Sequence, residues 1–265
     1  MTRKFLVIGN PIDHSLSPKL HNHWIKDNNI NAIYEKRKLE SKDLDELIVK
    51  IKKKEIYGVN VTVPFKKEII SYLHKLTPQA ESTQSVNTIY MHNDEVTGHN
   101  TDIDGFELGF KNIKFNIINK KVLILGAGGV VPSIIFALNK MKVFDITVSN
   151  RTKDKADDLK NLFKDLKVVN WGNLPSFDII INATSIGLNK HDKINLDFTK
   201  IGKGKLFYDV IYNPKETDFL KTGKKLGNIT ENGKKMFIFQ AAAAFKIWHN
   251  DQPKINEELF DLLDK

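Results

Sequence analysis

The run Lys121-Val-Leu-Ile-Leu125 passes directly into Gly126-Ala-Gly-Gly129 and then into an apolar stretch reaching about Met141. A short apolar run with no polar alternation reads as a strand buried on both faces, as a parallel sheet flanked by helices requires. The glycines turn the chain tightly, and the stretch after them reads as a helix. Strand, glycine turn and helix in that order restrict this part of the chain to an α/β fold. The same turn sets free helical N–H groups and the positive end of a helix dipole beside backbone that a pyrophosphate can approach. Val131 stands where the dinucleotide fingerprint has its third glycine. A strand-to-helix turn of this kind need hold no ligand; the flanking elements favour the dinucleotide.

The end of the next strand, Ile146-Thr-Val-Ser149, selects among dinucleotides. An NAD site places Asp or Glu there to hold the ribose 2′-hydroxyl. This chain instead has Asn150-Arg-Thr152, followed by Lys153 and Lys155. Only Arg3, Arg37 and Arg151 are arginines among 41 Lys and Arg residues. A planar fork donor suits a 2′-phosphate better than a point charge does, so NADP is favoured over NAD.

The rest of this half follows the same alternation. Lys153–Phe163 reads as a helix, and Asp178–Ile181 and Leu206–Asp209 as buried strands. The first hundred residues alternate too. Phe5–Ile8 and Ala32–Tyr34 read as strands, and Ser41–Lys53 as a helix with Leu44, Leu47, Ile48 and Ile51 on one face. Val86–Met91 and Val96–Gly98, flanking His92-Asn-Asp-Glu95, read as a hairpin. Met236–Trp248 is a long alanine-rich apolar helix. The expected fold is α/β with a mostly parallel sheet in each half.

Several polar clusters lie outside the glycine turn. Val59, Val61 and Val63 alternate with Asn60 and Thr62, the period of a half-buried strand. Pro64 stops it, and Lys66 follows at the strand's C-terminal edge, where open α/β sheets bind ligands. Lys66 is then either a ligand-facing cation or one surface lysine among many. Ser15 and Ser17 follow the first strand at the start of a helix running to about Asn28. Two hydroxyls and free N–H groups there suit a carboxylate, although Ser17 also reads as a simple N-cap before Pro18. Asn87 ends a strand-like run. Asp102 either caps the helix from Ile103 or is the carboxylate that pairs with Lys66 in proton transfer. Gln240 is the lone polar residue of an apolar run, and either caps a backbone carbonyl or bonds a ligand. The histidines, His14, His21 and His74 among them, have no metal-ligand spacing and read as surface or capping residues.

Composition narrows the classes further. The 265 residues carry no cysteine, which excludes disulfides, thiolate metal sites and cysteine nucleophiles. The net charge of +9 comes from lysines spread along the chain, without the aromatic or helix-turn-helix patterns of nucleic-acid binders. No apolar stretch reaches the length of a membrane span, and the start lacks a signal-peptide pattern. The expected setting is therefore the cytoplasm, with no nucleic-acid or membrane partner.

Taken together, the motifs resemble the shikimate dehydrogenase family. They are Ser15-Leu-Ser-Pro-Lys-Leu-His-Asn22, Asn60-Val-Thr-Val-Pro-Phe-Lys66, Ser85-Val-Asn-Thr88, Gly98-His-Asn-Thr-Asp102, Gly126-Ala-Gly-Gly129, Asn150-Arg-Thr152, Asn182-Ala-Thr-Ser-Ile-Gly187, Asp209-Val-Ile-Tyr-Asn-Pro214 and Gln240-Ala-Ala242, in order along nearly the whole chain. The resemblance implies a substrate domain, residues 1–102 plus 237–265, and a Rossmann-type NADP-binding domain, residues 103–236, with the site in the cleft between them and C-terminal helices returning to the first domain. It implies NADPH-linked, reversible reduction of 3-dehydroshikimate to shikimate, on the route to chorismate and the aromatic amino acids. Lys66 then resembles the acid/base and Asp102 its partner. Ser15, Ser17, Thr62, Asn87, Tyr212 and Gln240 resemble substrate ligands. Gly126, Ala127, Gly128, Gly129, Val130, Asn150, Arg151, Thr152, Lys155, Val210 and Gly233 resemble cofactor contacts, and no metal is implied. The implied partner is a small molecule, in a monomer or homodimer. The chain departs from the family pattern at Val131-Pro132, Lys155 and Lys235.

Overall fold

A computed structural model describes residues 2–189 and 191–264, which form two compact units, Met1–Gly105 with Ile238–Lys265, and Phe106–Phe237. The chain runs β1 (Arg3–Gly9), α1 (Ser17–Asp27), β2 (Ala32–Lys38), α2 (Leu44–Lys52), β3 (Gly58–Val61), α3 (Phe65–Glu68), β4 (Lys75–Leu76), α4 (Pro78–Thr83), β5 (Thr88–His92), β6 (Glu95–His99) and α5 (Asp102–Lys111). It continues as β7 (Lys121–Leu125), α6 (Val131–Lys140), β8 (Asp145–Asn150), α7 (Lys153–Leu162), β9 (Lys167–Asn170), β10 (Ile179–Asn182), β11 (Leu206–Asp209), α8 (Asp218–Lys225), β12 (Ile229–Glu231), α9 (Lys234–His249) and α10 (Glu257–Asp264).

The first unit holds a six-stranded sheet in the order β2-β1-β3-β5-β6-β4. β1 runs parallel to β2 and β3, and β4 parallel to β6, while β5 is antiparallel to both of its neighbours. Leu6, Ile8, Val59, Val61 and Ile89 of the strands bury against Leu44, Leu47 and Ile48 of α2 and Phe65 of α3. The hairpin turns at Asn93 and Asp94, whose φ of 50° and 60° are the left-handed pair of a two-residue hairpin loop. The C-terminal helices pack back on this unit: Trp248 Nε1 donates to the Ile89 carbonyl, and Trp24 Nε1 to that of Lys254.

The second unit holds a wholly parallel sheet, β12-β11-β10-β7-β8-β9. This is the doubly wound order, and it reverses between β7 and β10. Leu123, Leu125, Ile180 and Phe207 fill one layer with Phe177, Phe198 and Phe219. The uninterrupted apolar strands read from the sequence are those with neighbours on both sides and helices on both faces.

Three expectations need correction. The β3 strand is not half-buried and ends at Val61: it lies between β1 and β5, so Asn60 is enclosed, whereas Val63 is 57% exposed. Ser17 is not the N-cap of α1. Leu16 takes that position with no side-chain cap bond, and Ser17 is the first helical residue. His21 is not at the surface. It is fully buried, stacked on Tyr34 at 4.2 Å between ring centroids.

Candidate active site

Four connections of the first sheet open at one edge. β1 and β3 are parallel, so their C-terminal ends share that edge, and the antiparallel pairing brings the start of β5 and the end of β6 there too. Ser15 and Ser17 follow β1, Thr62 and Lys66 follow β3, Asn87 precedes β5, and Asp102 follows β6. The topology thus gathers residues that are up to 87 positions apart in the chain.

At the centre, Lys66 Nζ donates to Asp102 Oδ2 at 2.5 Å. Lys66 is 8% exposed and Asp102 5%. The α3 turn that carries Lys66 is held by Phe65 in the core and by the Val86 N–H, which donates to the Lys66 carbonyl at 2.8 Å. Asp102 begins α5, where the Asn100 side chain accepts its N–H at 3.1 Å. Asp102 is thus the first residue of α5 and not its cap, and its carboxylate faces the lysine.

Asn87 joins these groups. Its Nδ2 donates to Asp102 Oδ1 at 2.9 Å and to Gln240 Oε1 at 3.3 Å. Its Oδ1 accepts the Thr101 N–H at 2.8 Å. The cluster therefore holds an ammonium, a carboxylate and two carboxamides, largely withdrawn from water. Such a set can bind neighbouring hydroxyls and move a proton to or from an oxygen. Gln240 is half-buried on α9 and takes a side-chain partner rather than lying sealed among its alanines.

Ser15 and Ser17 lie beside one another: Ser15 Oγ accepts the Ser17 N–H at 3.3 Å. Ser17 is buried and Ser15 half-buried. Thr62 is tied to the end of β1 through its N–H, which donates to the Ile8 carbonyl at 2.9 Å. Tyr212 belongs to the second unit, stacked on Phe237 at 4.3 Å and 18°.

The second unit carries the glycine turn at its switch point. Gly126 has φ 111°, and a Cβ there would stand 2.8 Å from the Ala183 carbonyl oxygen, so only glycine is tolerated. Gly128 is open, with nothing closer than 4.0 Å to such an atom, and Ala127, Gly129 and Val130 are half-buried on the way into α6. Val131 is buried at the first turn of α6. At the end of β8 the Asn150 side chain donates to the Thr152 carbonyl at 2.7 Å, which leaves Arg151, Thr152 and Lys155 exposed. Gly233 packs against the backbone of Val210. An open glycine cradle before a helix, and an arginine with no carboxylate beside it in sequence, fit a dinucleotide bearing a 2′-phosphate. Among the described residues, no group of three or more His, Cys, Asp or Glu is disposed to hold a metal ion.

The profile of the shikimate dehydrogenase substrate binding domain matches residues 7–89, and that of shikimate / quinate 5-dehydrogenase matches residues 108–211. The shikimate dehydrogenase (NADP(+)) of Pelagibacter ubique is 56% identical over 264 residues, spanning all of both chains. This chain belongs to the shikimate dehydrogenase family. The crystal structure of the shikimate dehydrogenase from Aquifex aeolicus matches with a TM-score of 0.90 at 34% identity, over 100% of this chain and 98% of that one. The Thermus thermophilus shikimate 5-dehydrogenase, solved in complex with NADP(H) and shikimate, matches with a TM-score of 0.89 at 27% identity, over 98% of each chain.

Family membership sharpens one feature that the residue-by-residue reading missed. Asp209, at the end of β11, is buried and accepts Thr217 Oγ1 at 2.6 Å, the Ile211 N–H at 3.0 Å and Asn182 Nδ2 at 3.0 Å. Burial pushes its carboxyl up to about 6 against those donors. Asn182 also accepts the Thr184 N–H and hydroxyl and donates to the Ile186 carbonyl. The two family motifs that follow β10 and β11 are thus one buried network shaping the turns at the switch point. Their polar residues stood at strand ends in the sequence, but nothing local showed that they meet.

Proposed function

We infer that the protein catalyses the reversible, NADPH-dependent reduction of 3-dehydroshikimate to shikimate, a step toward chorismate and the aromatic amino acids. The observation that carries this is the Lys66–Asp102 pair, joined by Asn87 to Gln240, in a chain 56% identical to a shikimate dehydrogenase (NADP(+)). Residues 1–102 with 237–265 form the substrate domain and 103–236 the NADP domain, in a cytoplasmic monomer or homodimer.

When bound, NADPH supplies the hydride. Gly126, Ala127, Gly128, Gly129 and Val130 cradle its pyrophosphate, and Asn150, Arg151, Thr152 and Lys155 take the 2′-phosphate end. Val210 and Gly233 supply backbone contacts. Ser15 and Ser17 hold the substrate carboxylate, and Thr62, Asn87, Asp102, Tyr212 and Gln240 bind its oxygens. Lys66 gives a proton to the ketone oxygen as the carbonyl carbon is reduced, and takes it back in the reverse direction. Asp102 orients Lys66 and offsets its charge. Turnover of shikimate with NADP+, followed by absorbance of the reduced nicotinamide, tests the reading. Absence of turnover with shikimate, alongside turnover of another hydroxy acid, would overturn it.

A further inference from the structure

A line of buried hydrogen bonds leaves the site through Asn87. Asn60 Nδ2 donates to the Asn87 carbonyl at 3.1 Å and to Thr88 Oγ1 at 3.2 Å. Thr88 Oγ1 in turn donates to Asn87 Oδ1 at 3.0 Å. Asn60 therefore grips Asn87 twice, once through its backbone and once through its side chain by way of Thr88. Both amide protons of Asn60 are committed to that grip, so its Oδ1 must find a donor elsewhere in a core closed to water. The donor is the Tyr34 hydroxyl, at 2.7 Å.

Tyr34 is itself placed with unusual care for a residue of β2, beyond β1 from β3 in the sheet. The Asn22 side chain accepts its N–H at 2.9 Å and donates to its carbonyl at 2.8 Å. His21 stacks on its ring with 1° between the planes. Burial holds His21 neutral, lowering it to about 3, so no cation competes for the tyrosine. Both residues belong to α1, the helix that starts with Ser17.

We propose that Tyr34 is a positioning residue for the reaction, acting through Asn60 and Thr88 to hold Asn87 against Asp102. The proposal rests on the functional reading above. Without the hydroxyl, Asn60 Oδ1 would be a buried acceptor facing a ring. The cheapest repair is rotation of Asn60, which releases both holds on Asn87. Asn87 is then held toward Asp102 by Thr101 alone, whose N–H and hydroxyl meet its Oδ1 at 2.8 and 3.1 Å, and its aim at the Lys66–Asp102 pair loosens.

Tyr34→Phe keeps the stacked ring and removes only the hydroxyl. On folded protein at 25 °C, kcat for shikimate oxidation should fall roughly tenfold, while KM for NADP+ stays within twofold. Thr88→Val cuts the same line one link on and should have a similar effect. The double variant should be no slower than the slower single variant, because the two act in series. A purely structural role would lower the melting temperature and leave kcat per folded molecule unchanged. Unchanged kcat in Tyr34→Phe, or multiplicative losses in the double variant, would overturn the proposal. If Tyr34→Phe does not fold, Thr88→Val carries the kinetic test alone, and its normal kcat would be equally fatal. A second readout needs no turnover. The Asn87 side-chain amide resonances, assigned with Asn87→Asp, should shift in Tyr34→Phe protein labelled with nitrogen-15. Unchanged resonances would overturn the positioning role even in a wild-type protein inactive on shikimate, whereas that inactivity alone counts against the functional reading.

Discussion

Gly233 lies so close to Val210 that a Cβ at residue 233 would collide with the Val210 carbonyl oxygen. Backbone, unlike a side chain, cannot swing away, so the turn into α9 requires glycine there. Gly233→Ala should cost about 3 kcal/mol, near the upper end for overpacking, and lower the melting temperature by roughly 6–12 °C. Both backbones are assigned to the cofactor, so KM for NADP+ should rise while KM for shikimate changes little. A variant of native stability would show that the α9 turn can move aside.

Arg151 is exposed at the end of β8, and Asn150 folds the turn that presents it. It is the one planar fork among the cations there, Lys153 and Lys155 being the others, in a segment that also carries Asp154. Arg151→Ala should weaken NADP+ binding by roughly ten- to hundredfold and leave NAD+ use unchanged, since only the 2′-phosphate contact is lost. Isothermal titration with each dinucleotide separates the two. Equal losses for both cofactors would mean that Arg151 does not read the 2′-phosphate.

Ser17 supplies no side-chain cap to α1, so its hydroxyl has little part in holding the helix. Replacing Ser15 and Ser17 together by alanine should therefore raise KM for shikimate by tenfold or more, with NADP+ binding nearly unchanged and the melting temperature lowered only slightly, by loss of the long 3.3 Å bond from the Ser17 N–H to Ser15 Oγ. A lowered melting temperature with unaltered KM would return both hydroxyls to a structural role.

His21 makes the fold sensitive to acid. Burial, followed by the nearby His249, lowers its pKa from 6.5 to about 3. Between those values the unfolded chain binds a proton that the folded chain refuses, so stability falls as pH falls through this window. The slope is about 1.4 kcal/mol per pH unit from this one group. Asp209, raised to about 6 by burial, acts in the opposite sense: its folded form holds the extra proton, so its contribution falls as pH rises from 4 to 6. His21→Phe keeps a ring against Tyr34 and removes the proton site. Urea unfolding at pH 7 and pH 5 should show the variant losing about 2 kcal/mol less than the wild type over that interval. An identical loss in both proteins would place a water or a proton on His21 in the native state.

The sequence revealed the regular elements best where physics is local. The boundaries of β7 are legible because four apolar residues, Val122 to Leu125, end at a glycine turn that only a glycine backbone permits. The short β9 and β12 at the sheet margins are not, because Lys167–Asn170 and Ile229–Glu231 are too brief and too mixed to show a period. Helix α8 is illegible for a different reason: its apolar stripe is Phe219 and Leu220 among lysines. Within the candidate site, Lys66, Asp102, Asn87 and Gln240 were recognisable as polar residues in apolar or strand-end settings. Tyr34 was not, since a tyrosine in a strand looks like a surface residue until the sheet order encloses it, and Asn60 stood out only as a polar face of a half-buried strand, not as an enclosed link. His21 is enclosed in the same way, with nothing in its neighbours along the chain to show it. Long-range enclosure, not local pattern, decides the role of such residues.

The Lys66–Asp102 contact is the feature on which the proposed chemistry turns. Reduction of a ketone leaves charge developing on its oxygen, which needs a proton donor or a cation beside it. An ammonium held by a carboxylate at 2.5 Å, with both groups largely buried, is fixed in direction and need not reorganise as that charge develops. Lys66→Ala should lower kcat by roughly 10²–10⁴-fold, the range for a positioned acid/base. KM for shikimate should change much less, because the serines and carboxamides remain. The variant also leaves Asp102 buried without its cation, so circular dichroism and a melting curve must accompany the kinetics. Lys66→Met, which keeps the length of the side chain without its charge, should be equally slow. If either variant folds and retains near-native kcat, the proton comes from Asp102 or from water, and the lysine serves only to balance the carboxylate.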